Sequence, residues 1–183
     1  MSRFIISDTP LASVRVVERL HVGDQRGFLS RLFCMDELMA AGWRKPVAQI
    51  NHTMTKHRGT VRGLHFQRAP HAEMKLVSCI RGAVLDVAVD VRASSPTYLR
   101  WHGEELSAEN GRALLIPEGF AHGFQSLTED AELLYLHSEV YRPAAEAGLH
   151  PADSTLAISW PLTITALSER DSMHPMSPAF RGE

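Results

Sequence analysis

From residue 47 to residue 141 the chain is a succession of short runs that mix apolar and polar residues, each closed by a turn signal. The runs are 47–51, 61–67, 75–80, 84–91, 98–106, 113–116, 120–126 and 132–141. Between them stand Ala69-Pro70-His71, Arg81-Gly82, Ser94-Ser95-Pro96, Asn110-Gly111 and Pro117-Glu118-Gly119. Strands of this length, spaced this closely and punctuated by Gly and Pro, fit an all-β barrel or sandwich. Gly82, alone between two strong strand signals, predicts a tight hairpin.

The flanks add little regular structure. Residues 1–20 hold two strand-like runs around Pro10, placed at a sheet edge or exchanged onto a partner chain. A turn at 24–27 leads into another strand. Residues 35–41 (Met-Asp-Glu-Leu-Met-Ala-Ala) have helical spacing, with Gly42 as the stop. One or two short peripheral helices are therefore expected. From Pro143 to the end the chain is irregular, with one apolar segment at 156–162.

At 183 residues, with no linker or repeat, the chain fits one domain, 1–183, with a core large enough to need no staple. A net charge of −2 offers no basic stripe for nucleic acid. No apolar run approaches the ~18 residues of a membrane span, and no export signal is read at the N-terminus. Cys34 and Cys79 sit among apolar neighbours and read as free thiols. Together these predict a cytoplasmic protein.

The chemistry concentrates in Gly59-Thr60-Val61-Arg62-Gly63-Leu64-His65-Phe66-Gln67. Val61, Leu64 and Phe66 suit one face of a strand. Arg62, His65 and Gln67 suit a polar face that lines a cavity for an anion. Gly59 followed by His65, and Gly111 followed by Pro117-Glu118-Gly119 and His122, have spacings found in cupin jelly-roll barrels. Metal-binding cupins continue the first motif with a second histidine and a glutamate. Here Gln67 takes the histidine position, and an amide is a poor transition-metal ligand. No metal and no cofactor are expected.

The resemblance goes further. Asp24-Gln25-Arg26-Gly27-Phe28, Gln49-Ile50-Asn51-His52, Val61 to Gln67, Lys75-Leu76-Val77, Asp86-Val87-Ala88-Val89-Asp90-Val91-Arg92, Ile116-Pro117-Glu118-Gly119-Phe120-Ala121-His122-Gly123-Phe124, Tyr135, Ile158-Ser159-Trp160-Pro161 and Leu167-Ser168-Glu169-Arg170-Asp171 stand in one order and spacing. In this the chain resembles the dTDP-4-dehydrorhamnose 3,5-epimerase family, which acts on nucleotide-linked 4-keto-6-deoxy sugars. The resemblance implies a cupin jelly-roll barrel, a homodimer that exchanges N-terminal strands, and epimerisation through an enolate.

It also implies roles. His65 matches the base, and an imidazole, with an ordinary pKa of ~6.5, suits proton abstraction near neutrality. Asp171 matches the carboxylate that orients it. Tyr135 matches the acid on the opposite face, and Lys75 the cation beside the enolate oxygen. Arg26, Arg62 and His122 match substrate contacts at the diphosphate. Gln49, Asn51, Glu146 and Arg170 match further polar contacts, and Tyr141 an aromatic near the base. Arg31 stands where the family carries a glutamate that helps bind the nucleotide end. That departure bears on which nucleotide sugar is used and on whether one carbon or two are inverted. The rival readings are a 3-only or 5-only epimerase, a non-catalytic sugar-nucleotide binder and a metal-dependent cupin. His21, His57, His71, His102, His137, His150 and His174 match nothing and read as ordinary structural histidines.

Overall fold

The structure is a computed structural model and describes residues 2–177; Met1 and the end of the predicted irregular segment, 178–183, lie outside the described residues. Among the described residues, thirteen strands and two short α-helices follow in chain order, with a 3-10 turn at Pro143–Ala145. They are β1 (Phe4–Asp8), β2 (Arg15–Arg19), β3 (His21–Asp24), β4 (Gly27–Ser30), α1 (Met35–Met39), β5 (Gln49–Thr55), β6 (Val61–Gln67), β7 (Lys75–Arg81), β8 (Ala83–Asp90), β9 (Trp101–Ser107), β10 (Arg112–Ile116), β11 (Phe120–Ser126), β12 (Ala131–His137), β13 (Glu146–Gly148) and α2 (Glu169–Ser172).

The strands form two antiparallel sheets that face one another. One has the order β1-β2-β10-β7-β12-β5, the other β13-β6-β11-β8-β9. From β5 to β8, and again from β9 to β12, the chain crosses from sheet to sheet at each connection, which is the jelly-roll expected of the motif spacings. The crossing corrects one expectation. Gly82 does not close a hairpin: β7 pairs with β10 and β12, whereas β8 pairs with β11 and β9. Gly82 instead turns a corner between sheets, at φ +72° and with Thr128 Oγ1 where a Cβ would stand.

The central strands are covered on both faces, so they carry longer apolar runs than strict alternation allows, while β1 and β5 leave Ile5, Ile50 and Met54 exposed. Val77, Val84, Leu106, Phe124 and Leu133 pack between the sheets. Leu76, one residue from Val77, points the other way and packs with Trp43, Leu38 and Leu136 under α1. On the far side Leu64, Phe66, Val87 and Val89 pack with Leu149, Leu156 and Ile158 of the C-terminal segment. Burying a leucine of this kind contributes about 2 kcal/mol. The irregular C-terminal segment is therefore a cover for one sheet, and it adds β13 to that sheet's edge.

The N-terminal strands stand at one edge of their sheet. β1 pairs with β2 over the whole of both strands, and β2 pairs with β10 of the same chain, so residues 1–20 finish their own sheet at its edge. The element that stands apart is the β3–β4 hairpin, a separate two-stranded sheet with Val22, Phe28 and Leu29 exposed.

Candidate active site

A cavity of about 530 Å³ opens between the sheets. Its walls are the inward faces of β5, β6, β7, β11 and β12, and its rim is formed by Tyr141, Glu146 and Arg170. His65 stands on β6 in one sheet. Tyr135 on β12 and Lys75 on β7 stand in the other.

His65 owes its place to a break in strand register. Arg62 and His65 are an odd number of residues apart, so regular alternation would send them to opposite faces. The β6–β11 register slips between His122 and Phe124, where His122 pairs with His65 and Phe124 with Arg62. This bulge turns both side chains into the cavity. It needs glycine. Gly63 has φ +118°, and a Cβ there would lie 2.5 Å from Gly123 Cα and 2.7 Å from His122 O.

The irregular backbone is stabilised by Asp171. Gly63 N–H donates to Asp171 Oδ2 at 3.1 Å, and His65 Nε2 lies 2.7 Å from Oδ1. Asp171 is held at the start of α2, where its own N–H donates to the Ser168 side chain. The carboxylate is 2% exposed. Burial opposes its ionisation, but the bonds from His65 and Gly63 outweigh that and hold its pKa at about 2. An ionised carboxylate only accepts, so His65 donates from Nε2 and keeps its lone pair on Nδ1. The ring is fixed in the tautomer that a general base needs.

Around this pair the charges are mixed. Arg170 Nη2 lies 3.1 Å from His65 Nε2, and its Nε lies 3.6 Å from Asp171 Oδ1. Since the Nε2 proton is used on Asp171, Arg170 is a second cation on that carboxylate rather than a donor to the ring. Glu146 holds Arg170 from the other side at 3.0 Å. His174, edge-on to His65 with centroids 5.4 Å apart, also approaches Asp171 Oδ1, at 4.0 Å. His65, Asp171 and His174 bring three donor atoms within 4.8 Å of one another, a set a metal ion could use. The Arg170 guanidinium already supplies positive charge at the same nitrogen.

Across the cavity Lys75 is almost fully buried. Its Nζ donates to His65 O at 3.1 Å and pairs with Glu73 Oε1 at 3.2 Å. Tyr135 packs edge-on against His122, centroids 5.8 Å apart. Burial, reinforced by the Asp86 charge, pushes the Tyr135 phenol well above the usual tyrosine range, so it holds its proton.

Most of the residues singled out in the sequence meet here. Gln49, Asn51, Arg62, His65, Lys75, His122, Tyr135, Tyr141, Glu146, Arg170 and Asp171 all line the cavity. Tyr141 lies at the rim, half exposed, its hydroxyl donating to Glu146 Oε2 at 2.7 Å. Two of the residues expected at the diphosphate stand in settings unlike the rest. Arg26 is not in the cavity: it sits at the tip of the β3–β4 hairpin, paired with Asp24 at 2.6 Å and exposed. His122 is a poor cation for a diphosphate. It lies in the interior with Nε2 2.7 Å from Asp86 Oδ1, and burial lowers its pKa despite that partner. Gln67 is committed to backbone, donating to His71 O and Val140 O and accepting from Arg142 N–H at 2.5 Å. Arg31 pairs with Glu37 of α1 and does not line the cavity.

Three residues escaped the sequence reading. Glu73, His137 and His174 stand beside the others. His137 had a signal, because it lies two residues after Tyr135 on one strand and so shares its face. His174 lies three residues after Asp171, one helical turn on. Glu73 precedes β7 in a loop and had none.

Comparison with known proteins accords with this geometry. A family model described as dTDP-4-dehydrorhamnose 3,5-epimerase matches residues 8–178. A Sinorhizobium fredii protein named dTDP-4-dehydrorhamnose 3,5-epimerase is 43% identical over 171 residues, 90% of this chain and 85% of the relative. A Streptomyces niveus protein named dTDP-4-dehydrorhamnose 3-epimerase is 44% identical over 149 residues, 81% of this chain and 72% of the relative. The crystal structure of a Legionella pneumophila dTDP-6-deoxy-D-glucose-3,5-epimerase in complex with dTDP-4-keto-L-rhamnose superposes with a TM-score of 0.92 at 36% identity, covering 97% of this chain and 95% of that one.

Proposed function

The chain belongs to the dTDP-4-dehydrorhamnose 3,5-epimerase family, and from that membership we propose that it inverts C3 and C5 of dTDP-4-dehydro-6-deoxyglucose by acid–base chemistry through an enolate. One observation carries the assignment of roles. An imidazole with a fixed tautomer and a protonated phenol stand on opposite sheets of one cavity, with a buried ammonium on the phenol's side.

Inversion beside a ketone needs those groups. His65 Nδ1 takes the α-proton from one face, and the electron pair moves onto the ketone oxygen as an enolate. Lys75 holds that oxygen, a charge interaction that strengthens as the enolate forms. Tyr135 then protonates the carbon from the other face. Asp171 steadies the imidazolium that results. A positioned acid or base of this kind contributes about 10²–10⁴-fold.

Arg62 and Arg170 at the mouth suit the diphosphate, and Tyr141 at the rim suits stacking on the base. Arg26 and the exposed Phe28 belong to a hairpin that leaves its own barrel. We assign them to the cavity of a second copy, so that the working unit is a homodimer acting in the cytoplasm. Inversion at C3 alone is the second reading, favoured by the likeness to the 3-epimerase of Streptomyces niveus. Incubation with dTDP-4-dehydro-6-deoxyglucose, followed by borohydride trapping and sugar analysis, separates these. Products inverted at both carbons are expected. Inversion at C3 only assigns the narrower activity, and an unchanged sugar refutes the proposal.

A further inference from the structure

Besides His65–Asp171 and His122–Asp86, the cavity holds a third histidine–carboxylate pair, on the sheet opposite His65. His137 Nδ1 lies 2.7 Å from Glu73 Oε2, and both side chains are about nine-tenths buried. His137 follows Tyr135 by two residues on β12, and the two rings stack nearly parallel, 15° apart in plane and 5.9 Å between centroids. Glu73 also pairs with Lys75 at 3.2 Å. Burial works against the Glu73 charge, but Lys75 and His137 outweigh it and keep the carboxylate ionised. Among the described residues the other ring nitrogen, Nε2, has only a long contact, 3.4 Å, to Asn51 Nδ2. Asn51 is the cross-strand partner of Tyr135. Nε2 is thus the edge of the ring left for exchange, on the phenol's side of the cavity.

The reaction proposed above sets a requirement that His65 and Tyr135 cannot meet alone. Each inversion breaks a C–H bond and leaves that proton on His65. It forms a new C–H bond on the opposite face and takes that proton from Tyr135. After one inversion the base is one proton up and the phenol one proton down. A second inversion, or a second turnover, waits until the phenolate is reprotonated and the imidazolium has lost its proton.

We infer that His137, held by Glu73, is the group that returns the proton to Tyr135. The imidazolium gives up its Nε2 proton to the phenolate, with one water spanning the gap between the rings, and is recharged from solvent through the cavity mouth. His65 discharges to the same solvent, so the protons balance over the cycle. Imidazole is suited to this because it gains and loses a proton near neutrality. Glu73 supplies the counter-charge for the cationic state.

This inference rests on the proposed epimerisation, and one experiment separates the two. Wild type and His137→Asn are mixed with substrate in D2O and quenched rapidly, first with enzyme in excess and then with substrate in excess. The resting phenol is already protonated, so the variant's first labelling event is expected at close to the wild-type rate. Its steady-state turnover is expected to fall about 10-fold or more, with recovery on addition of free imidazole. If His137→Asn does not fold, as judged by its thermal melt, His137→Gln is read in the same way. Steady-state turnover within twofold of wild type overturns the inference. So does an equal slowing of the first event and of steady state, which would make His137 a substrate contact. A wild-type enzyme that labels neither carbon sinks the epimerase reading itself. One that labels a single carbon leaves the comparison of first event and steady state intact.

Discussion

Replacing Asp171 by asparagine keeps the shape of the side chain and removes its charge. The carboxylate accepts two bonds, from His65 Nε2 at 2.7 Å and Gly63 N–H at 3.1 Å. An amide has one oxygen. If that oxygen stays with Gly63, the amide N–H₂ faces His65 and the ring must turn to its other tautomer, with the proton on Nδ1. The base is then blocked. If the oxygen stays with His65, the imidazolium formed on proton abstraction still loses its counter-charge. At an effective dielectric constant of ~20, unit charges about 4 Å apart interact by about 4 kcal/mol. His65 is partly exposed, so about 2–4 kcal/mol is a fair range, or about 30- to 1,000-fold in kcat at 1.36 kcal/mol per decade. KM is expected to change by no more than a few-fold.

The same substitution has a signature in stability. The Asp171 pKa falls from 3.8 to about 2 on folding, a difference worth about 2 kcal/mol. A depressed carboxylate pKa contributes stability that is fully present above the unfolded value. It is lost as the pH falls through the folded value, so the window runs from about pH 5 to pH 2. Urea unfolding across that window is expected to show a loss in wild type that Asp171→Asn lacks. Deuterium exchange into the sugar, followed by NMR at neutral pH, measures the kinetic effect. A variant with kcat within threefold of wild type would refute the argument that Asp171 sets the tautomer and charge of His65.

Two further outcomes follow from the geometry. Tyr135→Phe removes the proton donor but leaves His65 and Lys75 in place, so inversion should fall by about 10²–10⁴-fold while washout of substrate α-protons into solvent persists more strongly, as NMR of the recovered substrate would show. Gly63→Ala forces a Cβ to 2.5 Å from Gly123 Cα at φ +118°, and its melting temperature is expected to drop by more than 5 °C with loss of activity, because only backbone movement in the bulge relieves the contact.

The parts of this molecule legible in its sequence were those set by local pattern. Strand periodicity and Gly/Pro turns marked the strands of the barrel, and the spacing of Gly59, His65, Gly111 and His122 pointed to a jelly-roll. Pairing was less legible, because Gly82 serves a corner between sheets as well as it serves a hairpin. The cavity depended on something alternation argues against: Arg62 and His65 share a face only because the strand bulges at Gly63. The meeting of Asp171 with His65, 106 residues apart, was an expectation from family resemblance alone, since no local rule links a helix start to a distant strand. No local pattern showed that the β3–β4 hairpin carries Arg26 away from the cavity of its own chain. His137 was legible by period 2, yet a histidine on a strand gives no sign of its partner, and Glu73 comes to it from a loop.

The central claim is that one base and one acid, facing each other across the cavity, exchange the protons at both carbons beside the ketone. Incubation of wild type with dTDP-4-dehydro-6-deoxyglucose in D2O, with positional analysis by NMR or mass spectrometry, tests it directly. Deuterium at both C3 and C5 is expected from wild type, and at neither from His65→Asn. Undiminished labelling by His65→Asn, or no labelling by a wild-type protein that binds the sugar nucleotide, would contradict it.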